Sequence, residues 1–184
     1  MKIVFIRHGK THSNTEGRYI GRTDEPLCAL GEKEIKALEY PAAGVVICSP
    51  MLRCLETAAL IYPGMAAKVY EGLRECDFGK FEGKNYAELN GDPAYQEWID
   101  SGGTLPFPGG ESVEGFKARC VSAFEKAVSD HKAAKALAFI VHGGTIMAVM
   151  EKYAGGVYFD YQVKNGHGYI VEFKNNIFED LSEI

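Results

Sequence analysis

Two arginines and two histidines in this chain of 184 residues stand where they could handle a phosphate group. Arg7-His8-Gly9 closes an apolar run, Arg53 follows Ser49-Pro50, and His142 closes a second apolar run just before Gly143-Gly144-Thr145. A guanidinium fork matches phosphate oxygens bidentately. A neutral imidazole, with an unperturbed pKa of about 6.5, can attack phosphorus near neutral pH. Arg53 falls in the opening turn of an expected helix, where the dipole disfavours a cation unless an anion joins it. His142 precedes a helix start, whose free N–H groups are an anion site in themselves. Each residue alone has a plainer reading: an exposed arginine reaching for water, a satisfied strand-end histidine, a tripeptide met by chance. Together they describe a small cationic site in a chain of net charge −5. His8 and His12 have the i, i+4 spacing of a helical metal pair. His8 ends a strand, however, and the Gly/Asn-rich loop after it is not expected to be helical, so no metal site is expected.

The elements that must position these residues alternate between strand and helix. Lys2 to Ile6, Val45 to Cys48 and Leu137 to Val141 are apolar on both faces, as in buried parallel strands. Lys68 to Glu71 is a further short strand. Helical spacing runs from Gly31 to Tyr40, from Ser49-Pro50 to about Tyr62, from Ser112 to Asp130 and from Thr145 to Tyr153. In the second of these, Ser49 is expected as the N-cap, with Leu52, Leu55 and Ala59 buried. Gly168 to Phe173 and Ile177 to Leu181 flank Asn175-Asn176 as a hairpin. The pattern predicts an α/β fold, a three-layer α/β/α sandwich with a mostly parallel central sheet and sites at the carboxyl ends of its strands.

A single domain is expected over residues 1–184, with a cap insertion at about 73–110. The cap should hold helices around Tyr86 to Leu89 and Pro93 to Ile99, followed by Gly102-Gly103 and the Pro106 to Gly110 segment. Its aromatic residues, Phe78, Phe81, Tyr86, Tyr95, Trp98 and Phe107, either stack a substrate ring or pack the cap's own core.

Composition narrows the class. At 46% hydrophobic and 24% charged, the chain can bury a core without metal or disulfide staples. With no run of Lys or Arg, neither nucleic acid nor membrane is an expected partner. The five cysteines are odd in number and contain no CxxC pair, which fits free thiols in a reducing, cytoplasmic setting. Cys54 and Cys76, next to Arg53 and Glu75, read either as oxidation-sensitive or as inert buried thiols. No apolar stretch approaches the roughly 18 residues of a membrane span.

Five segments carry a resemblance. Arg7-His8-Gly9-Lys10-Thr11-His12-Ser13-Asn14 resembles RHGxTxxN, and Ser49 to Ala58 resembles SxxxRxxxTA. Leu73 to Gly83 is similar to an acid-bearing LxExxxGxxEG loop, Pro108 to Ser112 to a GES segment, and Val141 to Gly144 to a second-histidine motif. In this order they resemble the histidine phosphatase superfamily, the phosphoglycerate mutase-like family, over nearly the whole chain. The resemblance implies His8 as a nucleophile that forms phosphohistidine. It implies that Arg7, Arg53, His142, Asn14 and Gly143 contact the phosphoryl group, and that Glu75 is the general acid and base, with Asp77 as the fallback. It implies no cofactor and no metal.

There are departures and open points. Lys10 stands where an acid is common, which adds positive charge at the rim. Pro26 to Ile35 departs from PLTxxGxxQA, a difference expected to touch loop packing and helix start. Thr11, Gly21 and Arg22 either reach substrate or belong to an exposed loop. The short cap and Cys76-Asp77-Phe78-Gly79 after the acid favour a phosphomonoesterase of the phosphatase branch over a mutase. The acid loop and the Pro108 to Ser112 segment are similar to those of α-ribazole phosphatases and of broad-specificity phosphatases. The expected partner is therefore a small phosphorylated substrate, such as α-ribazole 5′-phosphate, bound by a monomer or homodimer. The expected pH optimum is mildly acidic to neutral. Mutase-type phosphoryl transfer and a non-catalytic phospho-ligand binder are the alternatives.

Overall fold

The computed structural model describes residues Met1–Ile184. Strands β1 (Lys2–Arg7), β2 (Val45–Cys48), β3 (Lys68–Val69) and β4 (Ala136–Val141) pair in parallel. Strand β5 (Gly168–Lys174) pairs antiparallel with β1, and β6 (Ile177–Glu183) antiparallel with β5, giving one sheet in the order β3-β2-β4-β1-β5-β6. The helices are α1 (His12–Thr15), α2 (Ala29–Lys36), α3 (Leu52–Ile61), α4 (Tyr86–Leu89), α5 (Pro93–Asp100), α6 (Val113–Asp130) and α7 (Gly143–Ala154).

The apolar runs became strands because both of their faces are covered. Ile3, Phe5, Leu137, Phe139 and Val141 pack under Phe124 and Ala127 of α6 and Ile146 and Val149 of α7. Val4, Ile6, Val46, Ala138 and Ile140 pack on the other face against Cys54 and Ala58 of α3. Burying such side chains on both sides stabilises the sheet by about 1.5–3 kcal/mol for each large residue. The result is the three-layer α/β/α arrangement, mostly parallel at its centre.

Several elements differ from the sequence expectation. Helix α2 begins at Ala29, capped by Cys28, whose Sγ accepts from the Gly31 amide at 3.4 Å, and it ends at Lys36. The loop after His8 does contain a helical turn, α1, held by a reciprocal capping box between Thr11 and Asn14. His8 lies outside it, so His8 and His12 share no helix; His12 is exposed and pairs with Glu16. Strand β3 stops at Val69 and passes into a 3-10 turn, Glu71–Leu73. Helix α7 begins at Gly143, earlier than its first apolar residue.

The largest difference is in α3. The helix starts at Leu52, with Met51 rather than Ser49 at the cap. Its buried face is Arg53, Cys54, Thr57 and Ala58, whereas Leu52 and Ala59 are exposed and Leu55 is half-buried. Apolar spacing misplaced this face because two of the four residues turned inward, Arg53 and Thr57, are polar and have hydrogen-bond partners, a case that periodicity does not detect. The hairpin turn agrees with expectation: Asn175 and Asn176 take φ of 53° and 59°, the left-handed pair of a type I′ turn.

Residues 73–110 form no strand. Phe81, Leu89 and Phe107 make a small core with Phe116 and Cys120 of α6, and Tyr95 and Trp98 pack against it. No helix is long and apolar enough to cross a membrane.

Candidate active site

Parallel pairing brings the carboxyl ends of β1, β4 and β2 to one edge: Arg7 lies beside Val141, and Cys48 beside Ile140. The residues that follow these strands therefore meet. The His8 and His142 rings stand 5.2 Å apart at 67°. His8 is buried, and its Nδ1 lies 2.7 Å from the Gly9 carbonyl. A carbonyl only accepts, so Nδ1 carries the ring hydrogen and Nε2 keeps its lone pair. Burial, reinforced by the positive charges of Arg53 and Arg7, holds the His8 pKa well below its ordinary value of 6.5. The ring is neutral near neutral pH.

The arginines are the next layer. Arg7 Nη1 donates to the Val163 carbonyl at 2.9 Å. Arg53 is fully buried and donates from Nη1 to Thr23 O (2.9 Å) and from Nη2 to Gly21 O (3.0 Å). The loop that accepts these bonds is itself held by Glu82, whose Oε1 accepts from the Gly21 and Thr23 amides, each at 2.9 Å. The Nε atoms of Arg7 and Arg53 are both buried without an acceptor. Neither guanidinium takes part in any of the molecule's ion pairs. Two cations, Arg53 buried and Arg7 half-buried, with buried and unfilled donors are costly unless an anion completes them.

Glu75 is half-buried at the same edge. Its Oε1 accepts from the Cys76 amide at 2.9 Å and its Oε2 from the Gly144 amide at 3.3 Å. Its carboxyl pKa is raised above 4.5, burial outweighing these hydrogen bonds and the nearby Arg53 and Arg7 charges. A cavity of about 1060 Å³ opens above, with Arg7, His8, Asn14, Glu75, Gly143 and Gly144 at its surface. Phe78, Trp98, Phe107, Phe116, Tyr158 and Phe159 give it an aromatic wall. Of the cap aromatics, Phe78, Trp98 and Phe107 pack the small core and also face the cavity, Phe81 and Tyr95 only pack that core, and Tyr86 is 74% exposed.

Some candidates sit elsewhere. Arg53 and His142 lie beneath the cavity surface rather than on it. The His142 Nε2 is 2.7 Å from Ser49 Oγ, the hydroxyl that sequence reading had placed at a helix cap. Burial, with Arg53, His8 and Arg7, holds the His142 pKa well below 6.5. Asp77 accepts from the Gly79 amide and pairs with exposed Arg22, so neither residue lines the cavity. Thr11 is buried as the α1 cap, and Gly21 serves through its carbonyl. Lys10 adds no free charge to the rim, because Glu34 binds its Nζ at 2.7 Å. Burial raises the thiol pKa of both Cys54 and Cys76, which keeps them protonated.

Sequence reading missed Asn165. Its Nδ2 donates to the His8 carbonyl at 3.0 Å and to Asn14 Oδ1 at 3.2 Å, tying the His8 loop to the segment before β5. Asn14 Oδ1 also accepts from the Thr11 amide, so the Asn14 side-chain amide is oriented with its NH2 group still available. Nothing local marks Asn165; it lies in an ordinary turn composition, Lys164-Asn165-Gly166. Glu82 belonged to a quoted motif, but its work on the Gly21 loop could be found only in three dimensions.

Comparison with known proteins places this arrangement. The family model described as histidine phosphatase superfamily (branch 1) matches residues 3–179. The chain is 33% identical to a 2,3-bisphosphoglycerate-dependent phosphoglycerate mutase 2 of Gloeobacter violaceus, over 80% of this chain and 73% of that protein. It is 26% identical to the adenosylcobalamin/α-ribazole phosphatase of Escherichia coli, over 84% of this chain and 80% of that protein. In fold it matches the crystal structure of the α-ribazole phosphatase from Shigella flexneri at a TM-score of 0.84 and 22% identity, covering 97% of this chain and 93% of the other.

Proposed function

The chain belongs to branch 1 of the histidine phosphatase superfamily, and from that membership we propose that it hydrolyses small phosphomonoesters through a phosphohistidine on His8. One observation carries the reading. A neutral His8 with a free Nε2 lies beside two guanidinium groups whose buried Nε donors have no acceptor. A phosphoryl dianion fits that combination of one nucleophile and unfilled cationic donors.

In the first step His8 Nε2 attacks phosphorus and the bond from phosphorus to the ester oxygen breaks. Glu75, whose raised pKa favours the protonated form, gives its proton to the departing oxygen. Arg7, the side-chain amide of Asn14 and the α7 amide of Gly143 contact the phosphoryl oxygens. Arg53 and His142 hold the floor beneath. In the second step the Glu75 carboxylate takes a proton from water as that water attacks phosphorus, and His8 is released with inorganic phosphate. The positive charge at this site comes from side chains and a helix N-terminus, so the reaction needs no metal.

Residues 73–110 act as a cap in a single domain, and their aromatic side chains suit an alcohol that carries a ring. The Escherichia coli relative is named an adenosylcobalamin/α-ribazole phosphatase, and the aromatic wall favours a ring-bearing ester of that kind, such as α-ribazole 5′-phosphate. The five free thiols suit a reducing, cytoplasmic setting.

The test is turnover of p-nitrophenyl phosphate in EDTA, with acid quench to trap phosphohistidine. Wild-type protein should turn over and form the adduct, and His8→Ala should do neither. Strict dependence on added magnesium, or an active His8→Ala protein, overturns the reading. The mutase relative favours a second reading, phosphoryl transfer to another hydroxyl. With 3-phosphoglycerate and catalytic bisphosphate, isomer formation supports transfer and free phosphate supports hydrolysis.

A further inference from the structure

Arg119 of α6 never reaches the cavity, yet it binds the stretch of backbone that carries Glu75. Its Nη1 donates to Gly72 O at 2.9 Å and to Arg74 O at 3.0 Å, and its Nη2 donates to Glu75 O at 3.4 Å. Glu111 grips the same guanidinium from the other side. Arg119 Nε donates to Glu111 Oε1 at 2.9 Å and Nη2 to Oε2 at 2.7 Å, a two-point fork. The Glu111 amide in turn donates to Asp77 O at 2.9 Å, just beyond the acid. The loop from Gly72 to Asp77 is therefore held by one ion pair at both ends.

This clamp complements the contacts at the carboxyl itself. The side chain of Glu75 accepts from the Gly144 amide, and its main chain is fixed from behind by Arg119. The guanidinium also lies 5.2 Å from the centre of the Phe116 ring, the ring that flanks Gly144. Main-chain carbonyls deprived of these donors would turn to water and carry Glu75 with them.

We propose that Arg119, oriented by Glu111, is a positioning residue that sets Glu75 for proton transfer to the leaving oxygen. The proposal rests on the reading of Glu75 as the general acid. Proton transfer requires heavy atoms about 2.6–3.2 Å apart, and a displacement of about 1 Å can cost 10²-fold. The defect should therefore grow with the leaving oxygen's need for a proton.

Phenyl phosphate and p-nitrophenyl phosphate share a ring and differ in that need, since the nitro group stabilises the departing anion. Release of each phenol is followed in single turnover. Arg119→Gln should slow phenyl phosphate at least about tenfold and p-nitrophenyl phosphate by no more than about twofold. Arg119→Lys, which keeps the charge and loses the fork, should behave alike. Glu111→Gln, which leaves the guanidinium in place, should move the ratio of the two rates in the same direction. It decides the matter if both Arg119 variants fail to fold. Equal loss on both esters, or loss on neither, in variants that melt with wild type overturns the proposal. Failure of the wild-type protein to form phosphoenzyme from either ester overturns the reading of the site instead.

Discussion

A Cβ added to Gly144 would lie 2.4 Å from Glu75 Oε1 and 2.9 Å from the Phe116 ring. Glycine is required here for space. It lets the second amide of α7 approach the carboxyl to 3.3 Å. Gly144→Ala should therefore push Glu75 away and lower kcat by about tenfold or more, with a smaller change in thermal stability. Gly143→Ala is the control. Its Cβ would stand 3.5 Å from Arg7 Nε, an ordinary contact, so the loss should be smaller. Steady-state kinetics on both variants checks the order.

The activity profile should follow two groups shifted in opposite directions. In the proposed mechanism the active form has His8 unprotonated and Glu75 protonated. Lowering of the His8 pKa moves the acid limb well below pH 6.5, and raising of the Glu75 pKa moves the alkaline limb above 4.5. Both shifts enlarge the fraction of molecules with the proton placed this way, and a bell-shaped profile follows. Glu75→Gln should cost about 10²–10⁴-fold and abolish the alkaline limb of kcat/KM. An alkaline limb that survives in Glu75→Gln assigns it to another group.

Stability should fall with acid for a related reason. His8 and His142 have folded pKa values below the 6.5 of the open chain. Between the folded value and 6.5 the unfolded state binds more protons, so unfolding becomes easier as pH drops. Their stabilising contribution is complete above about pH 6.5 and is lost progressively below it. Urea titrations from pH 7.5 to 5 should show the decline, and a His8→Ala, His142→Ala double variant should flatten it.

Glu82 should matter to phosphate binding from a distance. Glu82→Ala leaves the Gly21 and Thr23 amides without their acceptor and loosens the carbonyls that hold Arg53. A stability loss of about 1–3 kcal/mol is expected. Inhibition by inorganic phosphate should weaken by about tenfold, a change of roughly 1.4 kcal/mol. Unchanged inhibition together with the lost stability would assign Glu82 a packing role alone.

The strands that carry the site were legible residue by residue. Two-sided apolar runs ended at or next to Arg7, Cys48 and Val141, within a residue of the observed limits. Helix α3 was not legible in the same way. Its apolar residues spaced correctly for a helix but indicated the wrong face, because Arg53 and Thr57 are buried by hydrogen bonds. Thr57 Oγ1 donates to Arg53 O at 2.7 Å and accepts from the Gly9 amide at 2.9 Å, across 48 positions of sequence. Hydrophobic spacing carries no record of such partners.

By itself, the order of residues determined which side chains follow strand ends, and hence which could share the carboxyl edge of a sheet. That much is local, since burial on both faces is written in each short run. Tertiary structure alone decided that His8 presents Nε2, that Arg7 and Arg53 keep unfilled donors, and that Asn165, Glu82 and Arg119 brace the site. Those facts depend on atoms brought together from as far as 157 positions apart, where Asn165 meets the His8 carbonyl. Such meetings are set by sheet closure and the packing above it, to a few tenths of an ångström, and no local pattern encodes them.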